Sequence, residues 1–338
     1  MIAAAASANS SDLIICSAAD SGYFPLLRDA VLSVRALNAD VPVGVLDLGL
    51  LPEEREWLAA ARVQVVQPGW DVEFPGRERM PATFKAQVAR PFLPKHFPAY
   101  DMYFWLDADA WLQDWRAVQL YLAAAGRDRL AITLEIDRAY KRHYKRPKLF
   151  GFTLAWKCYR EAFGWRVADR LGRNPIANVG VFALHRDAPH WSHWARVMTG
   201  VLQRTRFFFA EQIALNYAIF GDGLSANFLP AYCNWAVGDA APAFDASRGL
   251  FVEPYAPHEV IGVVHLAGTE QKNKVFRLDR LTNGQLGGGT VETSLRFSES
   301  RALCGRAVFA GCAASAPDGG GDAPKPRREP RGALPETR

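Results

Sequence analysis

The sequence lacks the features that mark secreted, disulfide-stabilised and membrane-spanning proteins. Its 338 residues include only five cysteines, and no two of them form a CxxC pair. Such an odd, scattered set argues against a disulfide framework and against a zinc site made of cysteines. No apolar run approaches the roughly 20 residues that span a bilayer. Residues 1–11 lack the basic start of a secretory signal. We therefore expect a cytoplasmic protein that begins with a flexible segment.

The composition is that of a soluble globular protein, with 49% apolar and 22% charged residues. The net charge of +5 and the pI of about 9.0 raise the question of a nucleic-acid or anionic membrane partner. Much of the excess lies in two segments, 138–160 and 325–338. A modest excess in two patches is usually a solvated surface, so the charge alone indicates no partner.

Hydrophobic periodicity predicts alternating strands and helices. Short apolar runs predict strands at 12–16, 41–46, 63–66, 102–106, 130–134, 179–184 and 261–265. Helical spacing predicts helices at 26–37, from Pro52, and at 83–93, 189–202 and 209–220. This alternation predicts an α/β protein with a parallel sheet covered on both faces. We expect one domain over 12–312 and, from its Pro- and Gly-rich composition, a disordered tail over 313–338. The basic and aromatic segment 136–175 receives no assignment.

Polar residues that directly follow predicted strands are the candidate site residues, because ligands bind beyond the carboxyl ends of parallel strands. Asp107 and Asp109 follow the strand MYFWL. Two carboxylates at i and i+2 on an extended strand point the same way and suit Mg²⁺ or Mn²⁺. The alternative is a turn in which an aspartate caps the next element. The position after a buried strand favours the metal site.

Other candidates are weaker when taken singly. His265 closes a late strand, and the Gly268 and Lys272 that follow permit close backbone approach and phosphate binding, although a single histidine is often structural. Lys85 lies on a predicted helix and is equally explained as a surface lysine. Asn178-Val179-Gly180 and Glu211-Gln212 offer amides and a carboxylate, which bind hydroxyl groups.

The order of these elements, from residue 12 to about 274, resembles glycosyltransferase family 8, the retaining enzymes that include glycogenin and bacterial lipooligosaccharide galactosyltransferases. The resemblance implies a GT-A fold, a mostly parallel central sheet flanked by helices, and Mn²⁺ or Mg²⁺ as cofactor. It also implies transfer of a hexose from a UDP-sugar, with retention, to an acceptor that is a saccharide, glycolipid or protein.

The resemblance also implies a role for each candidate. Asp107, Asp109 and His265 would hold the metal. The residues that would bind the donor are Asp20 and Tyr23 at the uracil, Lys85, Gly268 and Lys272 at the diphosphate or sugar, and Asn178 at the sugar. Gln212 and Glu211 would lie under the sugar ring as the catalytic candidates, with Glu211 binding a hydroxyl rather than acting as a base. Glu211 replaces the family's usual aspartate, and Lys272 is one residue later than the family lysine, so Lys274 is an alternative to it.

Several alternatives remain open at this stage. The protein could bind a nucleotide sugar without turnover. A nicotinamide oxidoreductase is disfavoured because the nearest glycine pattern, 221–226, follows a helix and precedes a strand, the reverse of the required order. A basic nucleic-acid-binding protein is disfavoured because acidic strand ends repel phosphate unless a metal intervenes, and we expect no nucleic-acid partner. The segment 138–165 could contact the acceptor or a membrane surface peripherally, or it could be a solvated helix pair.

Overall fold

A seven-stranded sheet with helices on both faces forms the centre of the structure. The computed structural model describes residues 12–140, 154–282, 284–300 and 303. Its strands are β1 (Leu13–Ala19), β2 (Val43–Asp47), β3 (Val63–Val66), β4 (Met102–Leu106), β5 (Ala110–Leu112), β6 (Leu130–Leu134), β7 (Ala177–His185), β8 (Ala226–Leu229), β9 (Trp235–Ala236), β10 (Ala243–Asp245), β11 (Leu250–Val252), β12 (Val263–His265), β13 (Val275–Thr282) and β14 (Gln285–Ser294).

The α-helices alternate with the strands over most of the chain. They are α1 (Phe24–Leu37), α2 (Pro52–Ala60), α3 (Phe84–Ala89), α4 (Leu93–His96), α5 (Trp115–Ala124), α6 (Leu154–Phe163), α7 (Trp165–Leu171), α8 (His190–Leu202), α9 (Ala210–Phe220) and α10 (Phe297–Ser300). Short 3₁₀ turns lie at Arg77–Arg79, Arg90–Phe92, Ala231–Cys233 and Thr269–Gln271.

The central sheet has the order β3-β2-β1-β4-β7-β6-β8. Its pairings are parallel except on the two sides of β7, which runs antiparallel to β4 and β6. The prediction of an α/β fold with a mostly parallel sheet flanked by helices is therefore confirmed. Strand β4 lies in the middle of this sheet, so its carboxyl end opens onto the centre of one sheet edge.

Alternating side chains of β1 explain why helices cover both faces. Ile14 and Cys16 pack into a core with α3, α4 and α6–α9, whereas Leu13 and Ile15 pack into a second core with α1, α2 and α5. Successive side chains of a strand point to opposite faces, and a strand buried on both sides is therefore apolar throughout.

One predicted helix is broken in the structure. The segment 83–93 forms α3, a 3₁₀ turn at Arg90–Phe92 and then α4, rather than one continuous helix. Pro91 has no backbone N–H to donate to the preceding turn, and its ring crowds that turn, so a regular α-helix cannot pass through it. Arg90, at this break, lies next to the end of β4, where its guanidinium is 4.8 Å from the Trp105 ring.

Two smaller sheets were not predicted. One has the order β5-β12-β9, and the other has the order β11-β10-β13-β14. Strands β5, β9, β10 and β11 have two or three residues each, which is too short a pattern for periodicity to detect. The longer strands β13 and β14 were missed, and of these two sheets only β12 lies in a predicted strand. The first of these sheets brings His265, at the end of β12, next to the turn that precedes β5.

Several predictions concern residues that the structure describes only in part or not at all. Residues 1–11, 304–312 and the tail 313–338 lie outside the described residues, as does 141–153 within the basic segment. The rest of that segment includes α6 and α7, whose Trp156 and Trp165 rings meet edge to face at 4.9 Å. Within the described ranges, no helix is both long and apolar enough to span a bilayer.

Candidate metal and donor site

The Asp107–Asp109 segment forms a turn between two sheets. Strand β4 ends at Leu106, and the Ala110 N–H donates to the Asp107 carbonyl at 2.9 Å, which starts β5. The sequence predicted an extended strand here, and that prediction was wrong. The chain must leave the central sheet and enter the three-stranded sheet within three residues, so it turns. The two carboxylates nevertheless converge, and the turn and the candidate metal site are the same feature.

Strand register brings His265 to this turn. Strand β12 pairs antiparallel with β5 so that His265 lies opposite Ala110, and the Leu266 N–H donates to the Asp109 carbonyl at 2.8 Å. Ligand atoms of Asp107, Asp109 and His265 consequently lie within 4.8 Å of one another. Two carboxylates and an imidazole, 156 residues apart in the chain, thus form a compact group that suits a divalent cation.

A hydrogen-bond relay orients the His265 ring. Asn178 Nδ2 donates to Glu135 Oε1 at 2.8 Å, and Asn234 Nδ2 donates to Asn178 Oδ1 at 3.1 Å. The oxygen Oδ1 of Asn234 then faces His265 Nδ1 at 2.9 Å, so this ring nitrogen donates. In a neutral ring Nε2 therefore carries the lone pair, and it is Nε2 that faces Asp109 Oδ1 at 3.4 Å. The relay presents to the site the ring nitrogen that a metal needs.

Gly180 keeps the centre of the site open. It lies on β7 beside β4, and its carbonyl accepts from the Asp107 N–H at 2.8 Å. A Cβ at this position would lie 2.5 Å from His265 Cε1 and 2.9 Å from Asp107 Oδ2. Any larger residue would therefore displace two of the three candidate ligands, which explains a glycine in the Asn178-Val179-Gly180 motif.

Arg90 is the largest feature of the site that sequence reasoning missed. Its guanidinium donates to Asp107 Oδ1 at 2.5 Å and to Glu211 Oε1 at 2.6 Å, and it lies 4.8 Å above the Trp105 ring. Trp105 Nε1 donates to the same Asp107 oxygen at 2.7 Å. A buried arginine thus joins the DxD turn to α9 and fixes one carboxylate orientation. The predicted Lys85 lies one turn earlier, where its ammonium faces the Trp70 ring at 5.8 Å.

Glu211 is buried, and burial raises the pKa of its carboxyl from 4.5 to about 7 although Arg90 opposes the shift. One carboxylate oxygen, Oε2, is buried without a hydrogen-bond partner among the described residues. The neighbouring Gln212 accepts from the Val179 N–H at 3.2 Å through Oε1. The Glu211-Gln212 pair therefore lies at the N-terminal end of α9 and directly beside β7.

This raised pKa predicts that stability depends on pH. Between about pH 4.5 and 7 the folded protein retains a proton on Glu211 that the unfolded chain releases, so the free energy of unfolding falls as pH rises through this window. Glu211→Gln removes this titration. We expect the stability of the variant relative to wild type to increase by on the order of 1–3 kcal/mol from pH 5 to pH 8, measured by urea unfolding. A difference that is constant with pH would contradict the assignment.

Lys272 borders the site at Asp109, whereas Arg90 borders it at Asp107. Its ammonium lies 2.8 Å from Asp109 Oδ2 and 4.9 Å from the centre of the Tyr23 ring. Burial raises the pKa of Asp109, but His265 and Lys272 outweigh burial and hold that pKa well below its usual range. Burial likewise lowers the pKa of His265, but the hydrogen bond and the charge of Asp109 outweigh burial and raise that pKa. Lys274, the alternative to Lys272, faces the Phe276 ring at 4.8 Å instead.

The residues predicted to hold the nucleotide base lie at the end of β1. The Asp20 carboxylate accepts from the Tyr23 N–H at 3.0 Å, and the Tyr23 ring is 40% exposed. Gly268 has a φ of +94° at the start of the loop that carries Lys272. The structure thus brings Tyr23, Lys272 and the three candidate ligands together. The Lys85 ammonium faces the Trp70 ring, and the Asn178 side chain contacts Glu135, Asn234 and the Gly180 N–H.

Two residues of the relay, Glu135 and Asn234, were missed from the sequence. Glu135 directly follows β6, so the rule that selected Asp107 also applies to it. Asn234 directly precedes β9, whose two residues give no detectable periodicity. The glycine pattern 221–226 lies between α9 and β8. A helix precedes this pattern and a strand follows it, as the sequence predicted. A dinucleotide-binding turn has the reverse order.

Comparison with known proteins agrees with this architecture at the level of fold. No protein-family model matches the chain, and no curated protein matches its sequence. The structure resembles the galactosyltransferase LgtC, solved in complex with donor and acceptor sugar analogues, with a TM-score of 0.50 and 15% identity over 90% of this chain and 98% of that chain. An active-site mutant of LgtC gives a TM-score of 0.49 and 15% identity over the same shares of the two chains. The bifunctional glycosyltransferase WbbM gives a TM-score of 0.49 and 14% identity over 78% of this chain and 47% of that chain. The chain has the GT-A fold.

Proposed function

We propose that the chain is a metal-dependent glycosyltransferase that moves a hexose from a nucleotide sugar to an acceptor. The observation that carries this proposal is the convergence of Asp107, Asp109 and His265 within 4.8 Å beyond the carboxyl end of β4. Two side-chain cations, Arg90 and Lys272, flank that group. A fold shared with a galactosyltransferase supports the same activity.

The candidate ligands fit Mn²⁺ or Mg²⁺. Carboxylate oxygens and one imidazole are the donors that these ions accept, and the relay leaves His265 Nε2 available. Gly180 provides the space between them. When bound, the cation supplies Lewis-acid stabilisation of the negative charge that develops on the departing diphosphate.

The protein's own cations would act on the same leaving group. Arg90 at Asp107 and Lys272 at Asp109 place positive charge beside the carboxylate turn. Positive charge already in position when the donor is bound stabilises the anion that develops in the reaction. Tyr23, half exposed at the same sheet edge, offers a ring on which a uracil base stacks. Asp20 fixes the backbone of Tyr23 through its N–H. We therefore propose UDP-sugars as donors.

Glu211 and Gln212 would contact the sugar in different ways. Gln212 uses Oε1 on Val179, which leaves its Nε2 to donate to a sugar hydroxyl. Glu211 is buried and bound to Arg90, so we assign it to holding Arg90 and to hydroxyl binding rather than to a nucleophile. Retention of configuration, implied by the family resemblance, then proceeds by attack from the face of the leaving group, which needs no protein nucleophile.

The acceptor side is assigned to the basic and aromatic segment 136–175. In α6 and α7 the side chains of Leu154 and Trp165 are 62% and 58% exposed, and Arg160 lies 5.6 Å from the Trp165 ring. Exposed aromatic rings stack on sugar rings, and arginines attract anionic groups. A saccharide, glycolipid or protein acceptor is compatible with this surface, as is peripheral contact with a membrane.

A thermal-shift screen of nucleotide sugars with and without Mn²⁺ tests the proposal. We expect UDP-sugars with Mn²⁺ to raise the unfolding temperature, because a ligand at about 100 times its dissociation constant adds roughly 2.7 kcal/mol. ADP- and GDP-sugars with Mn²⁺, and UDP-sugars without it, serve as controls. Stabilisation by all nucleotides alike, or by none, would contradict the donor assignment.

Turnover is measured separately in the proteins that pass the screen. Slow release of UDP from a UDP-sugar in Mn²⁺ without added acceptor is expected of an active transferase. Binding without any release would instead support the alternative of a nucleotide-sugar-binding protein.

A further inference from the structure

Each candidate metal carboxylate is already paired with a cation of the protein. Asp107 Oδ1 accepts from Arg90 at 2.5 Å, and Asp109 Oδ2 lies 2.8 Å from the Lys272 ammonium. Asp109 Oδ1 faces His265 at 3.4 Å, so both oxygens of this carboxylate are engaged. A divalent cation on Asp109 would lie within a few ångströms of the Lys272 ammonium, and two like charges at that distance repel strongly in a partly buried site.

The two cations differ in how firmly they are held. Arg90 lies in a buried turn, its side chain is 9% exposed, and it binds two carboxylates on two elements. Lys272 has one carboxylate partner and follows a 3₁₀ turn, Thr269–Gln271, whose neighbours Asn273 and Lys274 are exposed. The Lys272 side chain is 12% exposed and also lies against the Tyr23 ring, but it gives up one carboxylate when it leaves. Arg90 would give up two carboxylates on two elements.

The loop around Lys272 is incompletely satisfied in this position. The side-chain oxygen Oε1 of Gln271 is buried and has no hydrogen-bond partner among the described residues. A buried polar group without a partner costs free energy, which a displacement of the loop that gives this oxygen a donor would recover. The loop begins at Gly268, whose φ of +94° allows the chain a conformation that other residues rarely adopt.

We propose that Lys272 and the divalent cation compete for Asp109, and that cation binding moves Lys272 from this carboxylate to the donor diphosphate. The inference rests on the proposed function, because it assumes that a cation and a diphosphate bind here. Lys272 acts as an exchangeable counter-charge that keeps Asp109 paired until the cation replaces it. Cation and donor then bind cooperatively, since the cation releases the lysine that the donor uses.

Lys272→Met separates this proposal from a static role of the lysine. The variant lacks the competitor, so its affinity for Mn²⁺ alone is expected to rise about fivefold or more, by calorimetric titration. It also lacks a phosphate ligand, so its affinity for UDP in saturating Mn²⁺ is expected to fall by a similar or larger factor. A lysine that only stabilises the loop cannot shift the two affinities in opposite directions.

Two variants provide matched controls. Lys274→Met makes the same change two residues away on a lysine whose contact is the Phe276 ring, and it should change neither affinity. Lys272→Arg keeps a cation on the loop and should keep the Mn²⁺ affinity near that of wild type. If wild type binds Mn²⁺ and UDP but Lys272→Met binds Mn²⁺ no more tightly, the competition is disproved. If wild type binds neither, the proposed function itself fails.

Amine labelling of wild type gives a second readout that needs no variant to fold. With acetic anhydride and mass spectrometry, Mn²⁺ alone is expected to increase the labelling rate of Lys272, and UDP with Mn²⁺ is expected to decrease it again. Lys274 is the internal reference. An unchanged rate at Lys272 on adding saturating Mn²⁺ would overturn the proposal.

Discussion

Replacing Asp109 by asparagine is expected to weaken Mn²⁺ binding by at least about 100-fold and to remove Mn²⁺-dependent stabilisation by UDP-sugars. Loss of an outer partner of a metal ligand alone costs 10–100-fold in other proteins, and Asp109→Asn removes the charge of a ligand itself. The same change leaves Lys272 without its carboxylate partner. Both effects act on the site while the strands on either side of the turn keep their hydrogen bonds.

The matched control is Asp101→Asn, at the other end of β4. Asp101 forms an exposed ion pair with Arg186 at 3.0 Å, and an exposed pair contributes roughly 0–1 kcal/mol. This variant should bind Mn²⁺ as wild type does. If Asp109→Asn retained Mn²⁺ affinity within about threefold of wild type, Asp109 would not be a ligand.

Arg90→Met is expected to have the largest effect on stability. Removing one partner of a buried ion pair costs roughly 3–5 kcal/mol, because the remaining charge stays buried without compensation. Here the side chain of Glu211, which is 5% exposed, loses its cation, and so does Asp107. Because burial raises the pKa of Glu211 to about 7, its carboxyl is mostly protonated at pH 6 and mostly ionised at pH 8. The loss of stability should therefore be larger at pH 8 than at pH 6. Urea unfolding at the two pH values measures it.

A double-mutant cycle tests whether the two side chains act as a pair. In Arg90→Met combined with Glu211→Gln, both charges are removed together, so the loss should be smaller than the sum of the two single losses. Arg90→Lys should recover little of the stability, because an ammonium cannot bridge two carboxylates in the planar geometry of guanidinium. Strict additivity of the two losses would show that the pair contributes nothing.

The sequence predicted those parts of the site that follow long, strongly patterned strands. The five apolar residues of β4 identify a buried strand, and the two aspartates that follow stand out for that reason. His265 was recognised as the end of another strand. Its proximity to Asp109 was not predictable from periodicity, because it depends on the pairing of two three-residue strands, β5 and β12. The family resemblance supplied that link instead.

The supporting residues were missed for identifiable physical reasons. Arg90 was hidden inside a predicted helix, and it lies at the 3₁₀ turn where that helix breaks at Pro91. Attention to Pro91 would have ended that helix earlier. Glu135 satisfied the strand-end rule but was overlooked, and Asn234 acts through two other side chains. Such relays depend on side-chain distances across three elements, which no local pattern encodes.

The position of a bound cation tests the central claim most directly. Crystals grown with Mn²⁺ and UDP, measured near the manganese absorption edge, locate the ion by its anomalous scattering. We expect one strong peak within about 2.5 Å of carboxylate oxygens of Asp107 and Asp109 and of His265 Nε2, with diphosphate oxygens on its open side. A manganese peak elsewhere, with these three side chains holding no ion, would contradict the account.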